Sequence, residues 1–291
     1  MLVAVTVKLL GVPYDAHSSF LRGPAEAPTA VRNALTCGSA NWHTELGQDV
    51  DPSIGLWHDL GDVDLTELAD PADVEKALEA ITGRAAEAIA DGSRLLSIGG
   101  DHLVTWPLIK AIAARHDPLT IVHFDAHPDL YDQLDGDRFS HACPFARIME
   151  GGLAKRLIQI GIRTMTGHQR EQVERFGVEV HELRSWSGEL PTLDGPVYVS
   201  VDVDALDPAH APGISHFEPG GMTTRQLLDA LHQLDRSKAT LVGADVVEIN
   251  PHRDVNDMTA MVGAKLVREL LGLLSYTTEE HVGITRPSHR S

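Results

Sequence analysis

The sequence has little cysteine and no long hydrophobic run. Its 291 residues include only two cysteines, so no disulfide framework is expected and a reducing, cytoplasmic location is predicted. No apolar segment approaches the roughly 18 residues that a membrane-spanning helix needs. Residues 1–10 are apolar but lack a basic start and a small-residue cleavage site. We interpret them as a first strand and expect no membrane partner.

Basic residues are also scarce. Lys and Arg total 24 against 42 Asp and Glu, which gives a formal net charge of −18 with neutral histidine. Nucleic-acid binding needs a basic face to neutralise phosphates, so this balance argues against a nucleic-acid partner. An acidic field attracts cations to a cleft. The composition is therefore compatible with a small cationic substrate.

Polar side chains follow an apolar run in residues 119–131, LTIVHFDAHPDLY. The run is typical of a buried strand in a parallel sheet. Asp125, His127 and Asp129 then alternate, and side chains two apart on an extended chain share a face. We expect them to converge past the strand's C-terminal end, where open α/β sheets bind ligands. A metal site or a solvated turn would explain this segment taken alone.

Two further segments end in the same way. The apolar residues 95–98 lead through two glycines and an aspartate to His102, and PVYVSVDVDALD at 196–207 presents Asp202 and Asp204. Two buried carboxylates on one face repel each other, so one must take a proton or find a cation. The three segments together favour a metal site.

The six candidate metal ligands are two imidazoles and four carboxylates: His102, Asp125, His127, Asp129, Asp202 and Asp204. Four carboxylates carry a charge of −4, which two divalent cations would balance. An oxygen-rich set without thiolate favours Mn²⁺, with Zn²⁺, Fe²⁺ and Co²⁺ left open. Two such ions roughly 3.5–4 Å apart lower the pKa of a shared water towards neutrality. The predicted chemistry is hydrolytic attack by that water on an electrophilic carbon or phosphorus.

Strand and helix patterns alternate along the chain. They predict an α/β fold with a central, mostly parallel sheet and helices on both faces. No linker or repeat is visible, so we expect a single domain over 1–291 that ends in a polar tail at 277–291. Residues 36–64 are polar and irregular, and no element is predicted there. The principal predicted helices cover residues 27–35, 70–92, 105–115, 169–176 and 257–275; the principal strands cover 1–10, 95–98, 157–162, 178–183, 240–250 and the apolar parts of 119–131 and 196–207.

Three short motifs carry a family resemblance. GGDH at 99–102, DAHPD at 125–129 and SVDVDALDP at 200–208 resemble the signature segments of the ureohydrolases, the arginases and agmatinases. The likeness covers nearly the whole chain and is closest to the plant-type arginases, through APGISHFEPGGMTTR at 211–225 and VGADVVEINPHRD at 242–254. It implies a three-layer arginase-type fold, two Mn²⁺ per subunit, a guanidino substrate, urea as product and a homo-oligomer, trimeric or hexameric.

The resemblance also implies roles for the individual metal ligands. His102 and Asp129 match the ligands of one manganese, His127 and Asp204 match those of the other, and Asp125 and Asp202 match the bridging ligands.

Two further residues are matched to catalytic roles. Glu248 corresponds to the acid that pairs with the substrate guanidinium, and His141 to the mobile-loop histidine credited with proton transfer. His141, Asp129 and Glu248 are therefore expected to be catalytic. A carboxylate can hold a planar guanidinium through two hydrogen bonds, and a histidine of near-neutral pKa can protonate a departing amine.

The resemblance leaves open which guanidino compound is the substrate. LYDQLDGDRFS at 130–140 lacks the Asn- and Thr/Ser-rich stretch with which animal and bacillar arginases hold the α-amino acid, as in the plant-type enzymes. GISHFEP replaces the GTGTP loop of agmatinases, which makes His216 and Glu218 candidates for substrate contact. L-Arginine is expected first, with agmatine or a guanidino acid as alternatives. Two more remote alternatives for the function are an amide deacylase with one zinc ion and a non-catalytic paralogue.

Two other features are open to more than one interpretation. The Gly-, Pro- and Ser-rich residues 12–33 predict a long loop, whose His17 and Ser19 are either pocket residues or surface residues. Cys143 follows His141 closely, so we hypothesise that thiol modification affects activity.

Overall fold

The chain is described by a computed structural model over residues 2–66 and 73–278. The strands are β1 (Leu2–Ala4), β2 (Val7–Gly11), β3 (Trp57–Asp62), β4 (Arg94–Ile98), β5 (Thr120–Phe124), β6 (Arg156–Ile162), β7 (Glu179–Glu182), β8 (Asp194–Asp202), β9 (Lys238–Val247) and β10 (Tyr276–Thr278). The α-helices are α1 (Ala27–Leu35), α2 (Val74–Ala88), α3 (Thr105–Ala113), α4 (Pro144–Glu150), α5 (Gly167–Phe176), α6 (Thr224–His232) and α7 (Met258–Ser275).

Eight of the strands form one sheet in the order β3-β2-β4-β9-β8-β5-β6-β7. Every pairing in this sheet is parallel, and β1 pairs separately with β10 in an antiparallel ribbon. The predicted central parallel sheet is confirmed. Because all eight strands run the same way, their C-terminal ends lie along one edge, and β4, β8 and β5 lie near the middle of it.

Helices cover both faces of the sheet and bury two separate hydrophobic cores. One core packs α1, α6 and α7 against the sheet, and the other packs α2, α3 and α4 against the opposite face. This is the predicted three-layer arrangement. Strand β4 is buried at every position, as expected for a central parallel strand covered on both sides. Within the described residues, no helix is both long and apolar enough to span a bilayer.

Two helices begin with the same capping arrangement. The hydroxyl of Thr166 accepts from the backbone N–H of Gln169 at the start of α5, and the Gln169 side chain accepts in return from the Thr166 backbone. Thr223 and Gln226 do the same at the start of α6. A reciprocal pair satisfies backbone donors that the first helical turn leaves free. Both helices are thereby fixed at their N-terminal ends.

Three predictions about the chain ends and the region between β2 and α2 need correction. The polar stretch 36–64 contains strand β3, which the sequence analysis missed because only its first residue, Trp57, is buried. The predicted first strand is split into β1 and β2, which belong to different sheets. The predicted tail at 277–291 starts within β10, and residues 279–291 lie outside the described residues, as does the predicted helix start at 70–72.

The turn after β4 packs closely on the loop after β2. Asp101 N–H donates to the Tyr14 carbonyl at 2.9 Å, and a Cβ atom on Gly100 would lie 1.8 Å from that same oxygen. No side chain, however small, fits between these two backbone segments. A glycine at position 100 is therefore required for the turn that positions His102, two residues further along the chain.

We expect Gly100→Ala to lower the free energy of unfolding by about 1–3 kcal/mol or more, because overpacking must displace backbone. The control is Gly83→Ala in α2, where an added Cβ meets nothing within 4 Å. That change should raise the free energy of unfolding by about 0.5–1 kcal/mol, since alanine favours helix over glycine. Urea unfolding of both variants measures the two effects. Wild-type stability of Gly100→Ala would contradict the close approach.

Candidate metal centre

The six predicted metal ligands all lie at or just beyond the C-terminal ends of three strands near the middle of the sheet. His102 follows β4, residues 125–129 follow β5, and Asp202 ends β8 with Asp204 beyond it. Their side chains form two adjoining groups that could each hold a cation. The structure thus brings together every residue that the sequence proposes as a ligand.

The first group surrounds one ring nitrogen. His102 Nδ1 lies 3.1 Å from carboxylate oxygens of Asp125, Asp129 and Asp202. All four side chains are buried. Three oxygens and one nitrogen converging in this way form a ligand set suited to a divalent cation.

The second group shares one residue with the first. His127 Nδ1 lies 2.9 Å from Asp204 Oδ2 and 3.5 Å from Asp125 Oδ1. Asp125 belongs to both groups through its two oxygens, whereas Asp202 belongs to the first group alone. Asp125 is therefore placed where a bridging ligand would be, and the bridging role of Asp202 stays a prediction.

The tautomer of His102 indicates that its Nδ1 needs a cation. Ser200 Oγ donates to Asp245 Oδ1 at 2.6 Å, so it accepts from His102 Nε2–H at 3.0 Å. Nδ1 of the neutral ring then directs a lone pair at the carboxylates, and it has no hydrogen-bond partner. Such a buried lone pair facing anions is unfavourable unless a proton or a metal ion lies between them. The donor set fits a metal ion.

Asp245 fixes the orientation of Ser200 and, through it, that of the His102 ring. Its carboxylate is fully buried and accepts from Ser200, from Tyr198 Oη at 2.8 Å and from Thr105 Oγ1 at 2.9 Å. No role for Asp245 was predicted from the sequence. Outer carboxylates that orient a ligating histidine are a usual feature of metal sites. Its position on β9, facing Ser200 of β8 across the sheet, is visible only from the strand register.

Asp125 is oriented by a second histidine that the sequence analysis also missed. Gln159 Nε2 donates to His123 Nδ1 at 3.1 Å, which leaves His123 Nε2–H to donate to Asp125 Oδ2 at 2.7 Å. Burial lowers the pKa of His123, which keeps the ring neutral. The shared carboxylate is thus held by a neutral donor that adds no competing positive charge.

Proton affinities at the site reflect its excess negative charge. Burial, followed by repulsion from Asp204 and Asp125, raises the pKa of Asp202 well above its ordinary value. Burial and Asp125 likewise raise the pKa of Asp204 to about 6. Although burial opposes it, the neighbouring Asp204 and Asp125 raise the pKa of His127 to about 12. These side chains therefore hold protons strongly at the positions where bound divalent cations would balance the same negative charge.

Convergence of the ligands is achieved by turns and not by extended chain. Strand β5 ends at Phe124, and Asp129 has a φ of 49°, in the left-handed region. Asp202 ends β8 and caps a short 3₁₀ turn by accepting from the backbone N–H of Asp204 at 2.7 Å. The predicted meeting point was right, but the alternation of faces that we used to predict it does not apply past the strand ends.

Glu248 and His141 lie beside the first group. Glu248 Oε1 accepts from the His102 backbone N–H at 2.9 Å and contacts His141 Nδ1 at 2.8 Å. Despite burial, Glu248 raises the pKa of His141 to about 9. Glu248 has a φ of 66°, a conformation that costs about 1–3 kcal/mol and is commonly kept only at functional sites.

A cavity of about 220 Å³ opens from the two ligand groups towards solvent. His216, Glu218 and Ser19 line it, whereas His17 does not. Ser19 Oγ lies 2.9 Å from His141 Nε2, and the His216 ring lies 4.8 Å from that of His141. The complete lining is Ser19, His127, Asp129, Tyr131, Leu134, His141, Ala142, Thr164, Thr166, Gln169, Asp202, Asp204, His216, Glu218 and Glu248.

Arg163 joins three of the loops that form this site, and the sequence analysis did not identify it. Its guanidinium donates to the carbonyls of Asp204 at 2.7 Å and Glu218 at 2.8 Å, and its backbone N–H donates to Ala126 at 3.0 Å. Gly161, just before it, has a φ of 100° and lies too close to the Asp125 carbonyl for a side chain. One arginine therefore fixes the ligand loops and the His216 loop relative to each other.

Cys143 lies at the N-terminal end of α4 and is fully buried. Burial, followed by the nearby Asp129 carboxylate, raises the pKa of its thiol to about 12. A buried thiol of high pKa forms little thiolate and reacts slowly. Modification of this thiol is therefore expected to be slow in the folded protein, and its effect on activity stays a prediction.

The chain is similar to proteins of one known family in both sequence and structure. The model of the Arginase family matches residues 5–272. Arginase 1, mitochondrial, of Arabidopsis thaliana is 47% identical over 283 residues, which cover 93% of this chain and 81% of that protein. The agmatinase of Bacillus anthracis is 32% identical over 91% of this chain and 90% of its own length. The solved arginase of Medicago truncatula superposes with a TM-score of 0.85 at 44% identity, covering 94% of this chain and 88% of that one.

The comparisons contradict the predicted cytoplasmic location. Several of the plant arginases that resemble the chain are named mitochondrial. The prediction was wrong because it rested on cysteine content. A low cysteine count indicates only that the fold needs no disulfides, which is equally true inside an organelle.

The shared carboxylate gives a direct test of the two ligand groups. Asp125→Asn removes its charge without changing its size, so we expect the content of bound divalent metal per chain to fall and the rise in Tm on metal addition to be lost. Elemental analysis and thermal unfolding measure these. Asp235→Asn, an exposed carboxylate beyond α6, is the control. Unchanged metal binding in Asp125→Asn would exclude it as a ligand.

The two thiols should differ in reactivity. Cys37 is partly exposed, and its hydrogen bond with Ser39 lowers its pKa, whereas Cys143 is buried. We expect iodoacetamide to alkylate Cys37 in the folded protein and to leave Cys143 unmodified until the chain is unfolded. Peptide mass spectrometry identifies the labelled site. Rapid labelling of Cys143 in the native protein would show that the loop around it opens.

Proposed function

The chain belongs to the arginase family, and we propose that it hydrolyses L-arginine to L-ornithine and urea with two Mn²⁺ ions per chain. The observation that carries this proposal is the pair of ligand groups sharing Asp125, with Glu248 beside them in the same cavity. Bound there, two divalent ions would supply a water nucleophile at neutral pH and polarise the bond to be broken. The proposed ligands are His102, Asp125, His127, Asp129, Asp202 and Asp204.

Glu248 is proposed to hold the guanidinium. Its Oε1 is occupied by the His102 N–H and by His141, while no described residue bonds to Oε2. Oε2 can accept from a planar guanidinium, and a hydrogen bond between opposite charges is short and directional. Binding the cation at this point places its carbon beside the ligand groups, so that orientation contributes to the rate.

His141 is proposed to transfer protons. Its ring lies between Glu248 on Nδ1 and Ser19 on Nε2, which fixes its plane inside the cavity. With a pKa of about 9 the ring is protonated at neutral pH. It can therefore donate a proton to the amine that leaves as ornithine. A group with this pKa must be reprotonated in each cycle, and the cavity mouth gives access to solvent.

L-Arginine is preferred to agmatine as the proposed substrate on the strength of the comparisons. The plant arginase is 47% identical to this chain and the Bacillus anthracis agmatinase 32%. We further propose that the chain forms one domain over 1–291 and assembles as a trimer or hexamer, as the family resemblance implies.

The substrate is tested by measuring urea release after Mn²⁺ loading. We expect L-arginine to be preferred to agmatine, 4-guanidinobutyrate and 3-guanidinopropionate, and Glu248→Gln to lower kcat/KM for L-arginine by about 100-fold or more through loss of the charged hydrogen bond. Preference for agmatine would replace the substrate but keep the chemistry. No urea from any compound, with one zinc ion per chain, would favour an amide deacylase.

A further inference from the structure

The cavity has an inner end and an outer end that differ in burial and in chemistry. The inner end is formed by the metal-ligand groups and Glu248, which are buried except for His127, whose side chain is 28% exposed. The outer end is formed by Tyr131, Leu134, Thr164, Thr166, Gln169 and Glu218, which are all at least partly exposed except the buried Gln169. A guanidinium bound at Glu248 therefore leaves the rest of a substrate to contact the outer end.

Charged groups at the outer end are few. Neither Lys nor Arg lines the cavity among the described residues, and Glu218 is the acid of the outer end. Its carboxylate is positioned by the backbone, because Arg163 holds the Glu218 carbonyl at 2.8 Å. A cationic group of the substrate would be attracted to Glu218. An anionic group would have to be bound by neutral donors.

Such donors are present where α5 begins. The positive end of the helix dipole lies at the cavity, since its N-cap Thr166 and its third residue Gln169 both line the cavity. The Gln169 side chain is only 4% exposed. Its Oε1 accepts from the Thr166 backbone at 3.0 Å, so the amide orientation is fixed and Nε2 is left as a donor.

That donor is unused. No described residue accepts from Gln169 Nε2, and none bonds to the Thr164 hydroxyl, although both residues line the cavity. Gln169 is nearly buried, so this N–H₂ can find a partner only in water or a ligand that enters the cavity. Together with the helix start, it forms a site for a carboxylate.

We propose that Gln169 Nε2, the Thr164 hydroxyl and the N-terminal end of α5 bind the α-carboxylate of L-arginine, while Glu218 binds its α-ammonium group. This inference rests on the proposed function and specifies how the same cavity selects its substrate. Gln169 is then the residue that distinguishes arginine from agmatine, because agmatine has the same guanidinium and ammonium groups but no carboxylate.

The variant Gln169→Glu tests this without removing the helix cap. Glutamate is a natural third residue of a capping box, so α5 keeps its start, but the donor becomes an anion that repels a carboxylate. We expect kcat/KM for L-arginine to fall by roughly 10- to 100-fold, the effect of losing a charge-assisted hydrogen bond and adding repulsion. Activity on agmatine should be retained or raised.

The control is the same substitution in the other capping box. Gln226→Glu changes the third residue of α6, which is exposed and does not line the cavity. Its activity on both substrates should equal that of the wild type. Any general effect of an added negative charge at a helix start would show itself there.

One further substrate and one further variant separate the two ends of the zwitterion. 5-Guanidinopentanoate is arginine without its amine, so Gln169→Glu should weaken its hydrolysis as it does that of arginine. Glu218→Gln should instead weaken arginine and agmatine, which carry the ammonium group, and spare 5-guanidinopentanoate. Inhibition by L-ornithine against putrescine gives a measure of binding that is independent of turnover.

The outcomes are distinct from those that decide the proposed function. If the wild type releases urea from L-arginine, the function stands whatever the variants do. Equal losses on arginine and agmatine in Gln169→Glu, or no loss on either, would overturn the carboxylate site. If the wild type acts on agmatine and not on L-arginine, both the proposed substrate and this inference fail.

Discussion

The charge of four carboxylates at one buried point is the constraint on which the rest of this structure depends. Asp125, Asp129, Asp202 and Asp204 lie together with two imidazoles, and the pKa of Asp202 is raised as a result. Desolvated like charges destabilise a fold unless cations or protons balance them. Because these carboxylates lie where parallel strands end, backbone N–H groups can also stabilise their negative charge. The Ala126 N–H, for example, donates to Asp204 at 3.0 Å.

Positions of the loops follow from that constraint, because ligands on separate loops must be held to a fraction of an ångström. Hydrogen bonds behind the site do this: neutral His123 holds Asp125, and Ser200 with the Asp245 carboxylate holds His102. Arg163 then links the ligand loops to the loop that carries His216 and Glu218. The candidate metal ligands and the loop at the outer end of the cavity are therefore mechanically connected.

Sequence patterns predicted the helices and strands whose apolar residues recur at regular spacing. They failed for a strand that is only partly buried and for side chains whose partners lie far away in the sequence. Helix α1 was predicted to cover 27–35, as observed. Strand β3 was missed because an edge strand needs to bury only one face, and here Trp57 alone is buried. Asp245 and Gln159 could not be assigned because their partners lie on neighbouring strands, which no local pattern specifies.

The chemistry of the site follows from local sequence: imidazoles and carboxylates come directly after buried strands, so charge must accumulate at the C-terminal edge of a parallel sheet. Strand order, and with it the meeting of β4, β5 and β8, was decided by tertiary packing. So were the left-handed turns at Asp129 and Glu248, which replace the extended geometry assumed from spacing. Local patterns record burial and periodicity along the chain, whereas a site built from several loops depends on contacts that exist only once distant segments have packed together.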